Sequence, residues 1–211
     1  MTRFHEEPPL NPGPIPPDAC SIAFKEWAGV CDALGSGRQS LILRKGGVSE
    51  GPEGFQPDHP AFWLYPTFVH EAEQGLRSKV RPGLVEMPGV VDVETLVVVE
   101  WVGRVDRLDR LEALAGWHDW TAATVRTRFH YRTPGLWVLA VRAYRRAEPW
   151  PVAITPAHLG CKTWVPLEDP PPTAGLVPSL TEGQSSRVVR SIRAAVEAEA
   201  VADPGGKVAP C

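Results

Sequence analysis

The strongest constraint in this sequence is a long β-branched segment near its middle. The stretch VETLVVVEWVGRVDRL, residues 93–108, is rich in valine, and β-branched residues favour strands. Its apolar residues are continuous near Val97 to Val99 and alternate with polar residues afterwards, which predicts a strand that is buried on both faces and then on one. GLWVLAVRAYRR, residues 135–146, also alternates for much of its length. We expect the two stretches to lie in the same sheet.

Shorter segments add helices and further strands. SIAFKEWAGVCDALGSG has an apolar residue roughly every three to four positions, which predicts a helix capped by Ser21 and ended by Gly35. RQSLILRKG, AFWLYPTF and CKTWVPL predict short strands, whereas LDRLEALAG and DWTAATVRTRFHY predict short helices. We therefore expect an α+β fold, a small and partly closed β-barrel with short helices against it. No dinucleotide or P-loop fingerprint follows a strand, so a doubly wound sheet is disfavoured.

Proline sets the expected domain boundaries. Residues 6–19 and 168–179 hold many of the 23 prolines and have no apolar period. We predict a disordered proline-rich tail (1–20), a single globular domain (21–168), a proline-rich linker (169–185), a C-terminal helix (186–202) and a final tail (203–211).

The cysteines and the first residues indicate a cytoplasmic protein. The four cysteines are widely spaced without a CxxC pair, which is typical of free thiols in a reducing compartment, and we expect Cys161 to be buried. MTRFHEEPPL lacks the apolar segment of a signal peptide, and no stretch approaches membrane-spanning length. His158 and Cys161 have no second pair of metal-ligand residues nearby, so we expect no metal, no cofactor and no membrane association.

Two cations and two glycines end the first predicted strand, at Arg44, Lys45, Gly46 and Gly47. Glycine permits close approach of the backbone, and the adjacent cations can hold a phosphate or a carboxylate. The alternative is an ordinary β-turn with two solvated side chains.

The stretch LYPTFVH places an aromatic ring, a hydroxyl and an imidazole close together, at Tyr65, Thr67 and His70. These groups can read the edge of a base or position a polar ligand. The alternative is an edge strand that ends at Pro66, with His70 on the surface.

Residues 120–147 contain six arginines and no aspartate or glutamate. The arginines interleave with aromatic residues, a combination that binds phosphates and stacks on unpaired bases. The alternative is a strand with arginines toward water and aromatic rings toward the core. We predict anion contact for at least two of these arginines and include Arg142 in the candidate ligand site. The arginines are Arg126, Arg128, Arg132, Arg142, Arg145 and Arg146.

Four stretches carry a resemblance to a known family. In this order, FKEWAGVCDALGSGRQSLILRKGG, FWLYPTFVH, LWVLAVRAYRRAEPWP and GCKTWVPL closely resemble an uncharacterised bacterial family, the domain of unknown function numbered eighteen hundred and two. The resemblance covers residues 21–167 and implies no activity. The order of elements in the second half is also similar to PUA-like barrels and their ASCH and EVE relatives. That similarity implies a barrel that binds RNA or modified bases.

These observations favour a binding domain for a phosphate-bearing ligand, namely RNA, single-stranded nucleic acid or a modified nucleotide. The alternative is a metal-dependent nuclease that uses Glu26 and Glu100, but DVETLVVVEW has no lysine near its carboxylates. No serine or cysteine nucleophile can be identified beside His118 and Asp119, so we assign no catalytic residue. The sequence does not indicate an oligomeric state.

Overall fold

The computed structural model describes residues 15–45, 59–68, 75–79, 81–82 and 85–198. Within these residues the chain forms a mixed α+β fold, with a seven-stranded sheet and four helices. The strands are β1 (Ile22–Trp27), β2 (Leu41–Arg44), β3 (Ala61–Thr67), β4 (Val90–Val105), β5 (Leu136–Ala153), β6 (Trp164–Pro166) and β7 (Val177–Pro178). The helices are α1 (Ala28–Gly35), α2 (Leu108–Ala113), α3 (Ala122–His130) and α4 (Glu182–Glu197).

The centre of the sheet is the antiparallel pair β4 and β5. Their register runs from Val90 opposite Ala153 to Val105 opposite Leu136, with irregularities between Val93 and Thr95 and between Val99 and Trp101. The pairing expected from the two β-rich stretches is confirmed. Because β-bulges add local twist and bend a strand, the two irregularities help such long strands to curve around a core.

The remaining strands extend the sheet on both sides of this pair. The order is β2-β5-β4-β3-β1-β6, and β7 adds a short ladder to β5. β1 and β3 are parallel, whereas the other ladders are antiparallel. The mixed α+β class is confirmed, but no ladder joins the edge strands β2 and β6 in the described part of the chain, so the sheet there is not closed. A side chain connects the two edges instead, because Arg44 at the end of β2 donates to the Thr163 hydroxyl, just before β6, at 3.0 Å.

The expected helix beginning at Ser21 is wrong over its first half. Residues Ile22–Trp27 form β1, and helix begins only at Ala28. β1 lies between β3 and β6, and its Ala23 and Phe24 are both fully buried on opposite faces. A strand that is buried on both faces does not show the alternation of apolar and polar residues by which strands are recognised. The apolar residues of β1 therefore fitted a helical period by coincidence.

Two apolar clusters cover the two faces of the sheet. Along β3, Phe62 and Leu64 enter the larger cluster, which also holds residues of α1, α3 and α4, whereas Trp63 and Tyr65 enter the smaller one. Successive side chains of a strand point to opposite faces, so this division follows directly from strand geometry. The larger cluster includes Phe24 of β1 and Leu43 of β2, beside the candidate site.

The segment after residue 168 packs on the sheet through β7 and α4. Thr181 and Gln184 form a capping box at the start of α4, and Ile192 and Val196 are buried in the larger cluster. Arg110 donates to the carbonyl of Val196 and so holds the end of the helix. No helix among the described residues is both long and apolar enough to cross a membrane.

Cys161 is exposed, whereas Cys20 and Cys31 are buried. The expectation of a buried thiol at Cys161 is therefore wrong. The strand predicted to begin there starts only at Trp164, which leaves Cys161 in the bend before β6.

We predict that α4 is required for full stability. A chain ending at Leu180 should lose roughly 3–6 kcal/mol of unfolding free energy, because Ile192 and Val196 would no longer be buried. Denaturant unfolding measures this loss, and a chain ending at Ala198 is the matched control. Equal unfolding free energies for the two chains would show that α4 does not belong to the folded domain.

Candidate ligand-binding cleft

A cleft of about 220 Å³ opens where β1 and β2 end. We call it the Glu26 cleft. Its walls come from three parts of the sequence: the end of β1, the end of β2, and the segment that contains Trp120 and α3. The lining residues are Glu26, Trp27, Leu43, Arg44, Lys45, Trp120 and Arg128.

Glu26 is the buried carboxylate of this cleft, with a relative exposure of 5%. Its side chain lies on the same face of β1 as Phe24, toward the larger cluster. The backbone N–H of Trp27 donates to Glu26 Oε1 at 2.8 Å. Burial raises the pKa of Glu26, although the Arg44 charge, the Trp27 N–H and the Arg128 charge oppose that rise. A buried carboxyl group therefore faces two guanidinium groups.

Arg44 is positioned by three contacts on β1 and beside β6. Its Nη1 lies 3.9 Å from Glu26 Oε2, and its Nη2 donates to the Thr163 hydroxyl at 3.0 Å. Its guanidinium carbon lies 4.7 Å from the centre of the Phe24 ring, within the range of cation–π attraction. These contacts fix the cation at the wall of the cleft.

Lys45 anchors the end of α3 and the loop that follows it. Its Nζ donates to the carbonyls of Phe129 at 3.0 Å and Gly135 at 2.9 Å, and also to the carbonyl of Thr133. Carbonyls at the end of a helix are unpaired and partly negative, so a lysine stabilises them. Burial lowers the pKa of Lys45, and the charge of Arg104 lowers it further.

Two tryptophans and an arginine form the aromatic wall. The rings of Trp27 and Trp120 have centres 5.5 Å apart, and the Arg128 guanidinium lies 5.2 Å from the centre of the Trp27 ring. The backbone N–H of Trp120 donates to His118 Nδ1 at 3.2 Å. Burial lowers the pKa of His118 to about 4, so its neutral ring accepts this hydrogen bond at pH 7.

Only some of the site residues predicted from the sequence lie in the cleft. Arg44 and Lys45 both line the cleft, and the Thr67 hydroxyl donates to the Glu26 carbonyl at 3.1 Å behind it. Tyr65 packs in the smaller cluster, on the other face of the sheet, 5.5 Å from the ring of His158. Gly46, Gly47 and His70 lie outside the described residues.

Arg142 lies away from the cleft and is buried, with a relative exposure of 3%. It forms ion pairs with Glu100 of β4 at 2.7 Å and with Glu182 at the start of α4. In this structure the charge of Arg142 is used to attach α4 to the sheet.

A second cleft, also of about 220 Å³, lies beside β4 and β5. Its two arginines share one carboxylate, because Arg145 lies 2.9 Å from Glu94 and Arg81 also binds Glu94. Arg81 is further paired with Asp32 at 3.6 Å. The Glu26 cleft is the better candidate for an anion, because its cations outnumber its carboxylate.

Sequence reasoning did not place Trp27, Trp120 and Arg128 in one site. The sequence predicts a helix at Trp27, and this prediction hides the position of Trp27 at the end of a strand. Arg128 belonged to the arginine-rich segment, but nothing in the sequence distinguished it from Arg126. Only the packing of α3 against the ends of β1 and β2 separates them.

The described residues contain no group of three or more histidines, cysteines, aspartates or glutamates that could hold a metal ion. The two carboxylates considered for a nuclease have different cationic partners. Glu26 faces Arg44 and Arg128, whereas Glu100 binds Arg142.

We predict that Arg44 stabilises the fold by compensating Glu26. Arg44→Gln should cost roughly 1–3 kcal/mol of unfolding free energy at neutral pH, because it leaves a buried carboxylate without its partner. The loss should shrink as the pH falls below about 4, the pKa of an unfolded glutamate, because the carboxyl group is then protonated in both the folded and the unfolded state. Chemical unfolding at the two pH values measures the effect.

The matched control for this prediction is the double variant Arg44→Gln/Glu26→Gln. It should recover part of the stability at neutral pH, because no buried charge remains. A single variant that is as stable as the wild type at neutral pH would contradict the compensating role of Arg44.

Residues 23–191 match the model of a family described as Domain of unknown function (DUF1802). A search of curated proteins gives no match.

Among solved structures, a mutant form of the ASCH protein from Zymomonas mobilis matches at 15% identity and a TM-score of 0.43, over 70% of this chain and 89% of that one. The unmutated ASCH structure from the same organism matches at 13% identity and a TM-score of 0.42, over 81% of this chain and 93% of that one. Structural similarity with TM-scores this low does not indicate a ligand for this chain.

The family match covers nearly all of residues 21–167, the region of the four sequence motifs, and continues beyond it on the C-terminal side. It begins inside β1, includes every wall of the Glu26 cleft and continues into α4. Since it spans well over half of the sequence, the chain belongs to the DUF1802 family.

Proposed function

We propose that this protein is a binding domain for a phosphate-bearing ligand, and that RNA, single-stranded nucleic acid or a modified nucleotide occupies the Glu26 cleft. One observation carries the proposal. Three cations, two indole rings and one buried carboxylate line a common opening. Phosphates, unpaired bases and the polar edge of a base are the three groups that these side chains recognise.

The cations supply the contact with phosphate. Arg128 is exposed and lies over the Trp27 ring, so its donors can turn toward a ligand without breaking an internal hydrogen bond of the described chain. Arg44 and Lys45 are held by their own contacts and contribute a fixed positive potential. Charge-assisted hydrogen bonds to a guanidinium are roughly twice as strong as neutral ones.

The tryptophans supply a surface for a base. Trp27 is half-buried and borders the opening. Stacking of a base on an aromatic ring contributes roughly 1–3 kcal/mol in single-strand binding. The cleft is below the usual range for drug-sized sites, about 300–1,000 Å³, which fits one base or one phosphate better than a larger ligand.

Glu26 supplies an acceptor at the base of the cleft. Its Oε1 is used by the Trp27 N–H, whereas Oε2 lies 3.9 Å from Arg44. A carboxylate accepts from the amino groups of bases, and the adjacent guanidinium donates to their ring nitrogens or carbonyls. The carboxylate and the arginine together can therefore bind a polar base edge.

The finer fold assignment is part of the same proposal. The curved, mixed sheet with short helices, and the order of elements in the second half, support a PUA-like domain. Such domains bind RNA or modified bases, which agrees with the ligand proposed from the cleft itself. The nuclease alternative is less favoured, because the charges nearest to Glu26 are positive rather than those of other carboxylates.

We predict that Arg128→Gln weakens binding of a single-stranded RNA oligonucleotide roughly tenfold, the effect of losing about 1.4 kcal/mol of a charge-assisted contact. The melting temperature should fall less than in Arg44→Gln, because Arg128 is exposed and opposes the Glu26 charge more weakly than Arg44 does. Fluorescence anisotropy of a labelled oligonucleotide measures the affinity.

Arg126→Gln is the matched control for this change. Arg126 is an exposed arginine of the same helix, but it pairs with Glu112 at 2.8 Å and does not line the cleft. Its replacement should leave the affinity unchanged. Equal losses in the two variants would indicate a general effect of charge, and no binding by the wild type would remove the proposed function.

A further inference from the structure

We infer that the ligand of the Glu26 cleft is one nucleotide of a longer single strand, whose neighbouring nucleotides lie on a basic surface beside the cleft. This inference rests on the proposed function and names the class of its ligand. The surface, which we call the arginine track, consists of Arg128, Tyr131, Arg132 and Arg104.

The track begins at the cleft and follows the loop after α3. Arg128 lines the cleft, and the N–H of Tyr131 donates to the Arg128 carbonyl at 3.3 Å. Tyr131 is a large apolar side chain with 52% exposure, and the Arg132 guanidinium lies 5.1 Å from the centre of its ring. An exposed ring beside a cation is the arrangement that receives an unpaired base and its phosphate.

The backbone conformation of Arg132 contributes to this arrangement. Arg132 has a φ of 58°, the only positive φ among the described non-glycine residues. This left-handed conformation is uncommon for a residue with a long side chain. Arg132 follows the C-cap of α3, a position at which helices commonly end with a left-handed residue, and this backbone places its guanidinium over Tyr131.

Arg104 continues the track on the other side of the same loop. Its Nη2 donates to the Pro134 carbonyl at 3.1 Å, and Lys45 donates to the Gly135 carbonyl at 2.9 Å. Gly135 has a φ of 123°, and a Cβ atom there would lie 3.1 Å from Arg104 Nη2. Glycine at this position allows two cations to approach one short segment of backbone.

The arginines of the track form no ion pair within the described part of the chain, although the charge of Arg128 also acts on the buried Glu26. Other arginines of the same region pair with carboxylates: Arg126 with Glu112, and Arg145 with Glu94. Arg104, Arg128 and Arg132 instead contact a carbonyl or an aromatic ring. Cations without an ion pair beside an anion-binding cleft extend its positive potential along the surface.

The exposed rings favour a single strand over a duplex. Trp27 borders the cleft and is half-buried, and Tyr131 on the track is exposed. Aromatic rings stack on bases only when these are unpaired. A mononucleotide would contact the cleft alone, whereas an oligonucleotide would contact the cleft and the track.

The test compares a set of nucleoside monophosphates with an eight-nucleotide single-stranded RNA, using the full chain and the variant Arg104→Gln/Arg132→Gln. The wild type should bind the oligonucleotide more tightly than any monophosphate. The variant should lose most of that difference, and the slope of log affinity against log salt should fall by about 1.4 for two lost phosphate contacts. Binding of the monophosphates should change little.

The control variant is Arg107→Gln/Arg126→Gln, which removes two exposed arginines that pair with Asp109 and Glu112. It should retain both the oligonucleotide affinity and the salt slope. A second variant, Tyr131→Ala, should weaken the oligonucleotide without changing the salt slope, because stacking involves no counterion release.

Three outcomes would overturn the inference. The first is equal oligonucleotide binding by the track variant and its control, and the second is equal wild-type affinity for a monophosphate and the oligonucleotide. The third, measured with an RNA duplex of the same length as an additional probe, is tighter binding of the duplex than of the single strand. The proposed function would survive the first two, because the cleft would still bind a nucleotide. Absence of binding to both probes would instead remove the proposed function itself.

Discussion

The contact between Arg44 and Glu26 is the interaction on which the rest of the site depends. β2 and β6 are the two ends of the strand order, and no ladder joins them in the described part of the chain. The Arg44 side chain spans this interval by reaching Glu26, Phe24 and the Thr163 hydroxyl. Burial raises the pKa of Glu26 while the arginine opposes that rise. The Arg44 side chain therefore connects the two ends of the sheet, and its pairing with Glu26 places two opposite charges at the base of a cleft.

Lys45 extends this organisation to the segment between β4 and β5. Its ammonium group binds carbonyls at the end of α3 and in the following loop. That attachment fixes α3 beside the strand ends, and α3 in turn positions Arg128 over Trp27. The two adjacent cations have different structural roles, since Arg44 joins strands and Lys45 joins a helix to a strand. Both remain in the wall of the cleft, which is consistent with roles in folding and in ligand binding.

The sequence predicted those features that local patterns determine. The β-branched density of β4 and the alternation of β5 predicted the central pair, and the adjacent Arg44 and Lys45 were expected at a strand end, where they line the cleft. β1 was misassigned because its two faces are both buried, which hides alternation. The cleft could not be assembled from sequence, because Trp27, Trp120 and Arg128 meet only through the packing of α3. Arg142 looked similar to the other arginines, and only its buried pairing with Glu100 and Glu182 distinguishes it.

The most direct test of the cleft as a nucleotide site uses the indole N–H groups of the eight tryptophans as reporters. In a nitrogen-15 NMR titration with single-stranded RNA, the indole signals of Trp27 and Trp120 should shift in a saturable manner. The indole of Trp63, which donates to the Cys20 carbonyl in the smaller cluster, should not shift. Saturable RNA binding that leaves Trp27 and Trp120 unperturbed would contradict the account, because the ligand would then lie elsewhere on the molecule.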